Sequence, residues 1–165
     1  DPGMSFGTGR HATTRACLQL LDALADGNLS RRVLDIGCGS GILSIAAAKL
    51  GFARVRAFDN DPDAVRIAAE NAVVNEVAVE FFTADLAASA ATGDIVIANV
   101  LASVLGEHAA RVAAAVTAVA GHALILSGIL DSQYPAIVEA YARHGFREQR
   151  SILIADWRSG WFARG

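Results

Sequence analysis

Apolar positions along this chain fall into two alternating patterns. Short, almost unbroken apolar runs at residues 32–36, 54–58, 77–82, 94–98 and 122–127 have the length and composition of buried strands. Between and before them, residues 15–25, 42–50, 62–75, 102–120 and 133–144 space their apolar positions as helices do, with Leu18, Leu21 and Leu24 along one side of the first. Gly51 and Gly145 are natural left-handed stops for two of these helices, and Pro62 sits in the first turn of another, after the candidate cap Asp61. Near the end the pattern changes. Residues 146–156 and 161–163 read as two strands around Arg158-Ser159-Gly160, too close for a helical crossover, so they are predicted to pair as an antiparallel hairpin. The expected fold is α/β: a seven-stranded, mostly parallel sheet with one antiparallel strand and helices on both faces.

Ligands in such sheets bind beyond the carboxyl ends of the strands. The first predicted strand leads there into Val33-Leu34-Asp35-Ile36-Gly37-Cys38-Gly39-Ser40-Gly41-Ile42, an apolar run broken by three alternate glycines just before a helix. Gly37 and Gly39 permit a tight turn that a ligand can approach closely, and the free N–H groups of the helix point into the same space. The usual dinucleotide spacing is G-x-G-x-x-G, whereas here it is G-x-G-x-G with Asp35 two residues before the first glycine. A carboxylate there suits a cationic group better than a pyrophosphate, and S-adenosylmethionine carries both an ammonium and a sulfonium. A nicotinamide-dependent oxidoreductase is disfavoured by the same spacing.

Asp59, 22 residues after Gly37, ends the second strand, where a carboxylate can accept from both ribose hydroxyls; capping of the next helix is left to Asp61. Asp85 ends the third strand, either as a partner for an adenine amino group or as a solvated loop acid. Asn99 ends the fourth, Ile97-Ala98-Asn99-Val100-Leu101, and presents a side-chain carbonyl that can accept from an incoming amine; a turn asparagine is the plainer reading. Before the first helix, Thr13 or Thr14 is expected to serve as its N-cap, and His11 is a surface or capping histidine unless its neighbours give it more to do.

Composition narrows the class. The 165 residues suit one domain, and 53% apolar residues supply an ample core. Net charge is −3, and Lys49 is the one lysine among 14 basic residues, without a basic block interleaved with aromatics, so no nucleic-acid surface is expected. Cys17 and Cys38 make no disulfide framework, no signal peptide or membrane-spanning run is evident, and no metal cluster is expected; the default location is the cytoplasm.

Several segments together resemble a known family: Ser5-Phe6-Gly7-Thr8-Gly9-Arg10-His11-Ala12-Thr13-Thr14, Leu34-Asp35-Ile36-Gly37-Cys38-Gly39-Ser40-Gly41, Phe58-Asp59-Asn60-Asp61-Pro62, Asn99-Val100-Leu101-Ala102 and Ser127-Gly128-Ile129-Leu130. They are similar to the bacterial methyltransferases of the ribosomal stalk-base protein, the PrmA family. The resemblance spans nearly the whole chain and departs at Arg10 and Ala12, where the family usually has Thr and Pro. It implies a Rossmann-like class I methyltransferase in which Thr14, Gly37, Asp59 and Asn99 contact S-adenosylmethionine and Phe6 and His11 line the site. It also implies that Asn99 lies beside the target nitrogen, with His11 a possible proton relay. The implied reaction methylates lysine side chains and the α-amine of a large-subunit ribosomal protein. Family members carry a separate N-terminal domain that grips that substrate, so residues 1–165 are expected to be a single catalytic domain lacking it. Methylation of a nucleobase or small-molecule amine, and cofactor binding without turnover, remain as alternatives.

Overall fold

The computed structural model describes residues 11–165. Six helices, α1 (Ala12–Ala25), α2 (Ile42–Lys49), α3 (Pro62–Val74), α4 (Ala102–Glu107), α5 (Ala109–Ala115) and α6 (Tyr134–Ala142), alternate with strands β1 (Arg32–Ile36), β2 (Arg54–Asp59), β3 (Glu80–Thr83), β4 (Ile95–Asn99) and β5 (Ala123–Leu130). The hairpin of β6 (Phe146–Ile154) and β7 (Trp157–Arg164) follows. The strands form one sheet in the order β3-β2-β1-β4-β5-β7-β6, in which β7 alone runs against its neighbours. The last strand in sequence is therefore an inner strand.

Both sheet faces are covered, as the near-continuous apolar strands require. Alternate residues divide cleanly. Leu34, Ile36, Val96, Leu124 and Leu126 pack into one core with Leu105, Val112 and Tyr141 of α4, α5 and α6, whereas Val33, Val55, Ile95, Ile97 and Ile125 meet Leu20, Leu21, Leu43 and Ala47 of α1 and α2. α3 joins that second face, Ala68 packing on Ala57. Because strand side chains alternate, Asp35, Asp59, Asn99 and Ser127 all project to the α1–α2–α3 side at the carboxyl ends. The register puts Asp59, Asn99 and Ser127 level with one another and Asp35 two residues behind them.

Several expected boundaries shift for identifiable reasons. The first helix begins at Ala12, and its N-cap is His11, whose side chain accepts from Thr13 N–H; Thr13 and Thr14 are buried inside the first turn and cap nothing. β3 starts at Glu80 rather than residue 77 because the end of α3 consumes the preceding residues: Glu76 is left-handed (φ 56°), its N–H reaches Val73 O, and Val77 N–H reaches Ala72 O. The helix expected over 102–120 breaks at His108 and stops at Ala115, since Gly93 pairs with Val116 and Thr117 gives its hydroxyl to Asp94 at 2.8 Å. The hairpin turn is Ala155–Asp156, not Arg158-Ser159-Gly160. Those three lie within β7, where Ser159 is buried and a Cβ on Gly160 would collide with the Tyr134 hydroxyl at 2.1 Å.

Phe162, fully buried on β7, seats the hairpin on the α4–α5–α6 core. Phe162→Ala is expected to lower the unfolding free energy by about 3–5 kcal/mol, read from urea denaturation.

Candidate functional site

The glycine turn after β1 is held from outside. Phe58 O at the end of β2 accepts from both Gly37 N (2.9 Å) and Cys38 N (3.0 Å), and Asp59 Oδ2 accepts from Gly39 N (2.9 Å). Gly37, Gly39 and Gly41 all have positive φ (68°, 54° and 83°). They differ in surroundings: a Cβ on Gly41 would meet Ala68 at 2.9 Å, so that glycine serves packing, whereas one on Gly39 meets nothing within 4 Å, so that glycine faces open space.

That space is a cleft of about 520 Å³, within the range typical of small-molecule sites. Ile36, Phe58, Leu86, Val100 and Val104 give it apolar walls, and Gly37, Gly39, Asp59, Asp85 and Asn99 supply polar edges. Asp59 is aimed rather than loose, its second oxygen accepting from Asp61 N at 3.0 Å. Capping of α3 falls to Asp61, whose side chain accepts from Asp63 N, with Pro62 in the first turn. Asp85 lines the cleft but also turns its own loop, its Oδ1 accepting from Ala87 N at 3.0 Å.

Gly37, Gly39 and Asn99 also border a recess of about 30 Å³ with Asp35, Ile42 and Leu43. Asp35 is buried, and Ser44 Oγ donates to it at 2.5 Å. Burial, with a smaller push from the negative Asp59, raises the Asp35 carboxyl to about 7 although Ser44 bonds oppose the shift. Two buried oxygens make no hydrogen bond among the described residues: Asn99 Oδ1, whose residue borders both spaces, and Thr14 Oγ1 in the first turn of α1. Buried acceptors are rarely left so, and an unpaired one marks a place for a ligand hydrogen. Both thiols are poor nucleophiles, burial pushing Cys17 up to about 12 and Cys38 higher still.

Thus Asp35, Gly37, Gly39, Asp59, Asp85 and Asn99 meet at the cleft and its recess. His11 stands apart, capping α1 with its ring 5.4 Å from that of Trp157. Its Nδ1 accepts from Thr13 N at 3.3 Å, which leaves the hydrogen of a neutral imidazole on Nε2. Phe6 lies outside the described residues. Ser44 was not foreseen; only its place one turn into the helix after Gly41, facing back to Asp35, could have indicated it. Among the described residues no group of three or more His, Cys, Asp or Glu is arranged to hold a metal, and no helix is long and apolar enough to cross a membrane.

A mostly parallel seven-stranded sheet with an inserted antiparallel strand, a glycine turn after β1 and a carboxylate ending β2 defines the class I methyltransferase fold. The profile of the ribosomal protein L11 methyltransferase (PrmA) family matches residues 1–164, and the chain belongs to that family. It is 50% identical over 160 residues to the ribosomal protein L11 methyltransferase of Geobacter sulfurreducens, covering 97% of this chain and 50% of that protein. The chain spans about half the length of the curated relatives it matches. The crystal structure of a ribosomal protein L11 methylase from Lactobacillus delbrueckii subsp. bulgaricus superposes with a TM-score of 0.85 at 30% identity, covering 94% of this chain and 80% of that one. Magnesium protoporphyrin IX methyltransferase from Synechocystis, with SAH bound, shares the fold at a TM-score of 0.74 and 22% identity, over 93% and 85% of the two chains.

An acid whose folded-state pKa lies above its unfolded value stabilises the fold below the unfolded value, and that contribution is lost as pH rises through the folded one. For Asp35 the window runs from about 4 to about 7. Denaturation of wild type and Asp35→Asn across it is expected to show wild type losing stability relative to the variant as pH rises.

Proposed function

We propose that this chain is the catalytic domain of a ribosomal protein L11 methyltransferase. It uses S-adenosylmethionine to methylate amino groups, lysine side chains and the α-amine, of that stalk-base protein in the cytoplasm, without contacting nucleic acid. The observation that carries the reading is Asn99 Oδ1, a buried acceptor with no partner among the described residues, between the glycine turn and the cleft. A hydrogen-bearing amine is what such an atom lacks.

The residues present fit the cofactor. Asp59, pre-aimed by two backbone N–H groups, is placed for a ribose diol, and the apolar cleft walls beside Asp85 suit an adenine. The recess with Asp35 suits a cationic amino-acid end, and Thr14 Oγ1 in the first turn of α1 has an unused bonding capacity among the described residues. When bound, S-adenosylmethionine supplies a methyl group already activated by a sulfonium, so the domain must contribute placement and a neutral amine. A lysine amine ordinarily titrates near ~10.4, and the apolar surroundings of Val100, Leu101 and Val104 disfavour its charged form. Asn99 Oδ1 accepts a hydrogen from the neutral amine and so fixes where its lone pair points. His11 enters this reading through Thr13 and the first turn of α1, which it caps.

Mass spectrometry of unmodified L11 incubated with this chain and S-adenosylmethionine is expected to show gains of one-methyl steps; methylation of a nucleobase or small-molecule amine with none on L11 would refute the substrate assignment. Asn99→Ala is expected to reduce turnover about 10²-fold by releasing the amine from its alignment. Calorimetric affinity for S-adenosylmethionine is expected to fall as pH drops below about 7, when Asp35 protonates, by up to about tenfold per pH unit. Asp35→Asn should abolish that slope.

A further inference from the structure

The Ser127-Gly128 pair occupies an irregularity in the sheet. Pairing of β5 with β7 slips between Leu126 and Ile129, and such bulges redirect side chains beside functional sites. Ser127 is the register partner of Asn99 on β4 and is fully buried, as is Ser159 on β7. Ser127 Oγ lies 3.4 Å from Thr13 O and 2.6 Å from Ser159 Oγ. Each hydroxyl has one hydrogen to give: Ser127 gives its own to the carbonyl, and Ser159 gives its own to Ser127. A directed chain thus runs from β7 through β5 into the first turn of α1, next to Thr14 with its unpaired Oγ1. The same bulge approaches the backbone of the residue after Asn99. Gly128 has φ 82°, and a Cβ there would sit 2.1 Å from Val100 O, one residue beyond Asn99.

We infer that Ser127 and Ser159 are positioning residues of the methyl-transfer site, acting through Thr14, while Gly128 lets the Asn99–Val100 segment close against the same bulge. The inference rests on the proposed contact of Thr14 with S-adenosylmethionine. Sequence spacing hides it, because Thr13, Ser127 and Ser159 lie on three different elements; continuing the register of Leu126 with Gly160 sets Ser127 opposite Ser159, and the slip follows after them.

Calorimetric affinity for S-adenosylmethionine tests it with wild type, Ser127→Ala, Thr14→Ala and the double variant, each checked for cooperative unfolding. Ser127→Ala is expected to weaken binding roughly five- to tenfold, as loss of a buried hydrogen bond would. In the Thr14→Ala background the same change should cost about twofold or less, since the group it positions is gone. An equal loss in both backgrounds, or none in either, overturns the inference and leaves the cofactor reading standing. Wild-type affinity in Thr14→Ala instead removes the Thr14 contact and the inference with it. Should Ser127→Ala not fold, Ser159→Ala, which removes one donor and leaves Ser127 in place, carries the same cycle with the same outcomes.

Discussion

The carboxyl end of β2 holds the glycine turn, and most of the site depends on that attachment. A segment of alternating glycines has no side chains with which to anchor itself and gives up more conformational freedom on folding than any other. Phe58 O and Asp59 Oδ2 fix three successive backbone N–H groups between them, and Asn71 of α3 donates to Ser40 O at 2.9 Å from the other side. Asp59 therefore has two jobs that cannot be separated. The carboxylate that faces the cleft is also the one that keeps Gly39 in place.

Asp35 shows the opposing tendency. A carboxyl group buried at the end of a central strand gains a bond from Ser44 and the favourable end of α2, yet burial still dominates its titration. Left without a cation it weakens the fold near neutral pH. Such a group makes sense as one half of a pair, the other half arriving with a ligand, and strain of this kind gathers at functional sites.

The layout was readable wherever one residue type decides the local geometry. Gly51 ends α2, Asp61 and Pro62 begin α3, and the strand-end positions of Asp35, Asp59 and Asn99 follow from alternation. It was unreadable where distant groups decide. Gly93 and Asp94 draw residues 116–117 out of a helix that an Ala-rich stretch would otherwise continue, and Glu76 adopts a conformation that glycine usually fills. Arg158-Ser159-Gly160 has the composition of a turn but lies in a strand, because Gly160 makes room for the Tyr134 hydroxyl and Ser159 has a buried hydroxyl to meet. Within the site the acids and Asn99 could be listed from spacing. That Thr14 and Asn99 each hold an unused acceptor could not, since it depends on which partners never come near.

The inner position of β7 bears on the order of assembly. β1, β2 and β3 pair through short crossovers, so the part of the sheet that carries the glycine turn needs only residues close in sequence. The far edge of β5, by contrast, stays bare until β7 arrives, and β7 meets β6 first through a two-residue turn. Hairpins form within about 1–10 μs, faster than strand pairings that close long loops. The hairpin's own pairing is local in sequence, and its packing on β5 buries Ser159 against Ser127. One half of the sheet can be shaped before the other, and the arrival of the final strand completes the half that presents Asn99.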